Sequence, residues 1–124
     1  MNSKKILVIE NEPSIRKILA DKLVREKFEV IQANNGEDGL KIALSEHPDL
    51  VLTDVLMPKM NGLEMINELH KDAWGKSVPI IILSNLNDDT TIVNQIKHTQ
   101  YEYLLKTDLD LASLIDKIKT KLGL

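Results

Sequence analysis

The chain has no cysteine, which excludes disulfides, catalysis by a thiolate and cysteine-based zinc sites. Aromatic residues make up only 3% of the sequence, so Leu, Ile and Val must build the core. No window approaches the roughly 18 consecutive apolar residues that a membrane-spanning helix needs. The N-terminus, Met1 to Lys5, runs straight into an apolar stretch and leaves no room for a signal peptide. These absences predict a cytoplasmic protein.

The bulk composition is that of one folded domain. Hydrophobic residues account for 43% and charged residues for 28% of the 124 residues, as in ordinary globular domains. This length suits one hydrophobic core, so we expect a single domain over residues 1–124. The net charge of −3 disfavours nucleic acid or an anionic membrane as the main partner.

Short apolar runs alternate with segments of helical periodicity about five times. Strands are predicted at residues 6–9, 28–31, 50–53, 79–83 and 103–105. A helix is predicted after each strand, the fourth of them capped by Asp88 or Asp89. Because βαβ crossovers are right-handed, the pattern predicts an α/β fold of the (βα)5 type, a doubly wound five-stranded parallel sheet. The flavodoxin-like strand order 2-1-3-4-5 is the simplest packing.

Asp54 is the most informative residue of the chain. It ends an apolar run that begins at Leu50, and such a run is typical of a central strand buried on both faces. Ligands of open α/β sheets bind at the carboxyl ends of the strands, which favours a working carboxylate. Taken alone, Asp54 could also be a strand-end residue that caps the next turn.

Polar side chains follow three other predicted strands of the sheet. They are Glu10, Asn11 and Glu12 after the first strand, Ser84 and Asn85 after the fourth, and Lys106 after the fifth. Oxygen ligands beside a strand-end aspartate suit a hard cation such as Mg²⁺. A hydroxyl that donates to one phosphate oxygen and a lysine that neutralises another would complete a phosphate site.

The three histidines, His47, His70 and His98, lack the spacing of metal ligands. We interpret them as solvated surface residues. Trp74 is expected to pack the loop after the third helix.

Over essentially its whole length, the chain resembles the receiver domain of two-component response regulators. Four segments carry this resemblance: Ile6-Leu7-Val8-Ile9-Glu10-Asn11-Glu12, Asp54-Val55-Leu56-Met57-Pro58 with Asn61-Gly62, Leu83-Ser84, and Tyr103-Leu104-Leu105-Lys106. The resemblance implies transfer of a phosphoryl group from the phosphohistidine of a histidine kinase, or from a phosphotransfer protein, to an aspartate with the help of Mg²⁺.

The resemblance also implies a role for each matching residue. Asp54 would be the phosphoacceptor, with Ser84 and Lys106 binding the phosphoryl group. The metal ligands would be Glu10, Asn11, Asp54 and the backbone carbonyl of Leu56. Tyr103 would be the aromatic switch residue that moves inward with Ser84. A downstream protein would bind the face formed by the fourth helix, fifth strand and last helix, with homodimerisation on activation as one outcome.

Asn11 departs from the family pattern, which has an aspartate at this metal-binding position. An amide oxygen carries no charge, so the attraction lost could weaken Mg²⁺ binding by on the order of a few kcal/mol. Two interpretations stay open. The chain is a working receiver of lowered metal affinity, or it is a degenerate receiver that no longer signals by phosphate.

Leu56 and Leu86 lie two residues beyond Asp54 and Ser84, where polar side chains could orient a hydrolytic water. Both are apolar, so we expect any aspartyl phosphate to be long-lived.

Three functions follow from these residues. The leading hypothesis is a stand-alone phosphoacceptor switch that is not an enzyme in the ordinary sense and acts by binding another protein. The second is a pseudo-receiver that binds proteins independently of phosphate. The third is a phosphatase of the haloacid-dehalogenase type, which needs a second aspartate where Leu56 stands.

Overall fold

The computed structural model describes residues 3–55, 57, 59–85, 94–95, 101–108 and 110–124. Its centre is a parallel sheet of five strands in the order β2-β1-β3-β4-β5, which confirms the predicted topology. The strands are β1 (Lys5–Ile9), β2 (Glu29–Ala33), β3 (Leu50–Asp54), β4 (Ile80–Ser84) and β5 (Glu102–Leu105).

The helices are α1 (Pro13–Arg25), α2 (Gly36–Glu46), α3 (Gly62–Leu69) and α4 (Leu111–Lys121), and a 3₁₀ turn covers Lys106–Asp108. The described part of the chain thus has four helices where (βα)5 predicted five. The helix predicted between β4 and β5, with its caps at Asp88 and Asp89, lies outside the described residues except for 94 and 95, which are helical. Among the described helices, none is long and apolar enough to cross a membrane.

Strand boundaries differ from the predictions at functionally important places. β3 includes one more residue than predicted and β4 is shifted by one residue toward the C-terminus, so Asp54 and Ser84 are the last strand residues instead of the first loop residues. β2 begins one residue later and continues to Ala33, because its register with β1 extends to the pair Ile9 and Ala33. Phe28 belongs to the preceding turn, where its N–H donates to the Leu23 carbonyl at 3.1 Å.

The sheet separates two apolar layers, as expected for helices packed on both faces. Alternate β1 residues point into opposite layers, and β3 and β4 are buried along their whole length. The layer containing α2 and α3 residues includes Leu7, Ile9, Ala43, Met65, Ile66 and Leu69. The layer containing α1 and α4 residues includes Ile6, Val8, Leu19, Leu23, Leu114, Ile115 and Ile118.

His47 is exposed, as predicted, whereas His70 is only partly exposed, and both contact aromatic side chains. The ring of His47 stacks on Trp74 with the centroids 4.4 Å apart, so Trp74 fixes its loop to the end of α2. His70 Nε2 forms a short hydrogen bond with the Tyr101 hydroxyl. These partners are distant in sequence, so residue spacing gave no sign of them. His98 lies outside the described residues.

Helix α3 begins directly against the strand that carries Asp54. A capping box closes its first turn, since the Asn61 side chain accepts from the Glu64 N–H and Glu64 accepts from the Asn61 N–H. The Gly62 N–H donates to the Val55 carbonyl at 2.7 Å. A Cβ on Gly62 would lie 2.6 Å from the Asp54 carbonyl oxygen, so only glycine permits this approach.

We therefore expect Gly62→Ala to lower the free energy of unfolding by about 1–3 kcal/mol, because the added methyl group forces backbone apart. Urea denaturation measures this loss. The control is Lys41→Ala, which removes only an exposed ion pair with Glu37 and should change stability by less than about 0.5 kcal/mol. Equal stabilities of the Gly62 variant and the parent would contradict the packing described.

Candidate functional site

The carboxyl ends of four strands bring the predicted site residues to one edge of the sheet. Asp54 ends β3 and is in register with Leu83 of β4, and Ser84 is in register with Leu105 of β5. Glu10 and Lys106 directly follow β1 and β5. Because neighbouring parallel strands end together here, the four side chains belong to one site at the position that open α/β sheets use for ligands.

A buried ammonium group joins two carboxylates at the centre of the site. Lys106 Nζ lies 2.6 Å from Glu10 Oε1 and 3.0 Å from Asp54 Oδ2. The three side chains are 6%, 1% and 4% exposed, respectively. With Lys106 protonated and both carboxylates ionised, the group carries a net charge of −1 away from bulk water.

Backbone N–H groups fix the direction of both carboxylates. The Val55 N–H donates to Asp54 Oδ1 at 2.9 Å, and the Glu12 N–H donates to Glu10 Oε2 at 2.9 Å. Each carboxylate therefore uses one oxygen on the backbone and turns the other toward Lys106. The two oxygens that face Lys106 are therefore already oriented to bind a cation.

This environment changes the protonation of the central groups. Burial and then repulsion by Glu10 raise the pKa of Asp54 to about 7, although Lys106 acts in the opposite direction. Burial alone would lower the pKa of Lys106, but its contacts with Glu10 and Asp54 outweigh burial and raise that pKa above its usual value. Lys106 therefore stays charged at neutral pH.

Ser84 and Tyr103 form a hydrogen-bonded pair beside the carboxylates. The Tyr103 hydroxyl donates to Ser84 Oγ at 3.0 Å, and Ser84 Oγ donates to the Asn85 carbonyl at 3.1 Å. Ser84 is fully buried, and Tyr103 is half-buried. The aromatic residue predicted to move inward thus already points its hydroxyl at Ser84 in this structure.

The donor set fits a hard divalent cation. Glu10 Oε1 is buried with the Lys106 ammonium 2.6 Å away, and because a carboxylate oxygen has two lone pairs it can also bind a metal ion. Among the described residues, no three His, Cys, Asp or Glu side chains converge, and the site offers two carboxylates. Mg²⁺ commonly uses one or two carboxylates with water and phosphate oxygens. Asn11 is exposed at the rim, and Leu56 lies outside the described residues.

Arg16 lies beside the site and was not predicted from the sequence to contact it. Its Nη1 donates to the backbone carbonyl of Glu10 at 2.9 Å, next to the site. A basic residue near the start of a helix is unfavourable with the helix dipole, and no acidic residue lies in the first turn of α1. That unfavourable placement was the available sign that Arg16 serves a specific contact.

Comparison with known proteins gives a consistent result. A family model described as the response regulator receiver domain matches residues 6–119. The chain is 40% identical over 106 residues to the probable transcriptional regulator ycf27 of Cyanophora paradoxa, covering 86% of this chain and 43% of that protein. It is 33% identical over 102 residues to Protein PilH of Pseudomonas aeruginosa, covering 82% of this chain and 84% of that protein.

Solved structures share the fold. A response regulator receiver domain protein from Clostridium thermocellum superposes with a TM-score of 0.84 at 29% identity, covering 97% of this chain and 94% of that chain. The receiver domain of the sensor histidine kinase PA1611 from Pseudomonas aeruginosa, described with a magnesium ion in its active-site cleft, has a TM-score of 0.88 at 22% identity. That match covers 99% of this chain and all of the other chain. The chain spans about half the length of the ycf27 relatives.

The raised pKa of Asp54 predicts how stability depends on pH when metal is removed with EDTA. The folded state holds a proton that the unfolded chain releases above pH 3.8, the ordinary pKa. Stability contributed by this group therefore falls as pH rises from about 4 to about 7. Asp54→Asn should remove the free-energy cost of ionising this buried side chain in the folded state. The variant's stability should therefore depend less on pH, and the fold should be more stable at pH 8 by about 1–3 kcal/mol.

Urea denaturation across this pH range checks the expectation, with Asp21→Asn on the exposed side of α1 as the matched carboxylate control. A profile for Asp54→Asn that parallels the parent would show that Asp54 is ionised in the folded state at low pH, contrary to the analysis.

Proposed function

The chain belongs to the response regulator receiver family, and we propose that Asp54 is its phosphoacceptor in a two-component system. The donor is a histidine kinase or a phosphotransfer protein that carries phosphohistidine. The observation that carries the proposal is the buried Lys106 ammonium, which lies 3.0 Å from Asp54 and 2.6 Å from Glu10.

The chemistry is a substitution at phosphorus. The Asp54 carboxylate forms the new oxygen–phosphorus bond while the nitrogen–phosphorus bond of phosphohistidine breaks, and the electron pair leaves with the imidazole nitrogen. Catalysis of this reaction class depends mainly on position and on stabilisation of charge on the phosphoryl oxygens. The Val55 N–H orients the Asp54 carboxylate, and Lys106 supplies a positive charge that already lies 3.0 Å from it.

Glu10, Asp54, the amide oxygen of Asn11 and the carbonyl of Leu56 are the proposed holders of Mg²⁺. When bound, the metal ion neutralises negative charge shared by the carboxylates and the incoming phosphoryl group. Two buried carboxylates, each with one oxygen turned toward the centre of the site, support this assignment. Asn11 contributes no charge, so we propose a lowered Mg²⁺ affinity.

Ser84 and Tyr103 are the proposed link from phosphate to the protein surface. Ser84 Oγ accepts from Tyr103 and donates to the Asn85 carbonyl. A phosphoryl group on Asp54 would offer acceptor oxygens to the same hydroxyl, and the Tyr103 contact would then have to rearrange. Phosphorylation of Asp54 would thereby shift the equilibrium between two arrangements of Ser84 and Tyr103.

The proposed output surface includes β5 and α4, together with the segment between β4 and β5 that was predicted as the fourth helix and lies outside the described residues except for 94 and 95. Glu102 of β5 faces Lys117 and Lys121 of α4 at 3.7 and 3.9 Å. Long, partly exposed ion pairs of this kind contribute little stability. They can therefore be exchanged for contacts with a protein partner or with a second copy of this chain. The downstream target is proposed to be a protein.

A second candidate function is supported by Asn11. In a pseudo-receiver, the same surface would bind its partner whether or not Asp54 carries phosphate. The neutral, exposed amide at a metal-binding position favours this candidate, whereas the intact group of Asp54, Glu10 and Lys106 favours phosphorylation.

Intact mass after incubation with phosphoramidate tests the proposed function. We expect one added phosphoryl group that requires both Mg²⁺ and Asp54. Asp54→Ala should abolish the addition, and Asp21→Ala, which removes an exposed carboxylate of α1, should leave it unchanged. Asn11→Asp should lower the Mg²⁺ concentration needed for half-maximal rate by about 10-fold, because a charged ligand replaces a neutral one.

If no phosphoryl group is added even at high Mg²⁺, while Asn11→Asp restores the addition, the chain is a pseudo-receiver. Turnover of a phosphomonoester with multiple product molecules per protein would instead support the phosphatase hypothesis.

The lifetime of the aspartyl phosphate is a separate prediction from Leu56 and Leu86, both outside the described residues. Leu56→Glu should accelerate hydrolysis, since a group that orients or activates water contributes about 10²–10⁴-fold. Loss of the phosphoryl mass from purified protein over time measures the rate. Rapid loss from the parent chain would contradict the prediction.

A further inference from the structure

We propose that Arg16 is a positioning residue that holds the Glu10–Glu12 loop in the geometry needed for metal binding. The proposal rests on the Mg²⁺ site of the proposed function. Arg16 touches neither Asp54 nor the Lys106 ammonium in any described contact, and it acts through the backbone of Glu10.

The Arg16 hydrogen bond lies just beyond the carboxyl end of β1. Register between β1 and its neighbours stops at Ile9, so the Glu10 carbonyl lies beyond the strand ladder. The Arg16 side chain donates to this carbonyl through Nη1 at 2.9 Å, and no described backbone N–H donates to it. A bond from a guanidinium ion is stronger than one between neutral groups, and a half-buried side chain makes it here.

The loop is held at two points. The Arg16 side chain binds the Glu10 carbonyl, and an ordinary helical hydrogen bond, which any non-proline residue would make, joins the Arg16 N–H to the Glu12 carbonyl at 2.9 Å. Between these points, the Glu12 N–H donates to Glu10 Oε2. The direction of the Glu10 carboxylate therefore depends on a loop conformation that Arg16 fastens from the first turns of α1.

Helix α1 has the Arg16 contact near its start and lacks the side-chain cap found at the other described helices. The Asn35, Asn61 and Asp110 side chains accept backbone N–H bonds at the starts of α2, α3 and α4. Glu12, at the same position of α1, makes no such bond. The loop that carries the proposed metal ligands thus lacks the local restraint present at the other three described helices.

Arg16 can be replaced without opening the core. It belongs to neither apolar layer, and it lines an open cavity of about 490 Å³ together with residues such as Gln32, Asn34 and Lys41. A variant at this position should therefore fold, and its effect on the site can be measured directly.

The sign of the effect separates positioning from simple electrostatics. Arg16 is a cation near the metal site, so removal of its charge alone would tighten Mg²⁺ binding. Loss of a positioning contact weakens binding, typically by about 10-fold or more for groups that orient metal ligands. The two explanations predict opposite changes for Arg16→Met.

The test combines two NMR measurements on the full chain. Hydrogen exchange of the Glu12 amide, relative to that of Leu7 in the core, reports the loop without any metal. Titration with Mg²⁺ alone reports affinity without any phosphodonor. For Arg16→Met we expect Glu12 to exchange about 10-fold faster and the Mg²⁺ dissociation constant to rise by about 10-fold. Arg16→Lys should show smaller changes, and Lys17→Met on the exposed face should show none.

Unchanged exchange at Glu12, or tighter Mg²⁺ binding by Arg16→Met, would overturn the proposal. Faster exchange at Glu12 combined with no Mg²⁺ binding by the parent chain would uphold Arg16 as the holder of the loop and would overturn the metal-dependent function instead.

Discussion

The site depends on one ammonium group shared by two buried carboxylates. Three charged side chains with less than a tenth of their surface exposed would be costly to bury separately. Lys106 compensates Glu10 and Asp54 together, and backbone N–H groups from Val55 and Glu12 satisfy the outer carboxylate oxygens. One negative charge remains uncompensated, and burial together with repulsion by Glu10 raises the pKa of Asp54 to about 7. A divalent cation binding here would compensate that charge, and it would also compensate the further negative charge of a phosphoryl group on Asp54.

The parallel sheet supplies the geometry that this interaction requires. β3 and β4 are buried along their whole length, so Asp54 and Ser84 end strands that are packed between the two apolar layers. Glu10 and Lys106 instead follow their strands, on a loop and a 3₁₀ turn. These two side chains are held by their contacts, Glu10 by the Glu12 N–H and Lys106 by both carboxylates. Gly62, packed against the Asp54 carbonyl, brings the start of α3 against the end of β3.

Much of this arrangement could be predicted from sequence because strand ends are readable in apolar periodicity. The strand order and the meeting of Glu10, Asp54, Ser84 and Lys106 follow from where hydrophobic runs stop. Side-chain partnerships were not predictable in the same way, since they depend on reach across the fold. The Lys106–Glu10 contact, the inward Tyr103 hydroxyl and the Arg16 bond to a backbone carbonyl join residues whose spacing in sequence carries no pattern.

The role of Asp54 can be tested by a crystal structure with Mg²⁺ and beryllofluoride, a stable mimic of the aspartyl phosphate. We expect beryllofluoride on the Asp54 carboxylate, Mg²⁺ held by Glu10 and Asp54, and Lys106 Nζ moved from Glu10 to a fluoride atom. Ser84 would turn its hydroxyl from the Asn85 carbonyl to the adduct. An unmodified Asp54 with Lys106 still bridging both carboxylates, under conditions where Asn11→Asp binds the mimic, would contradict the account.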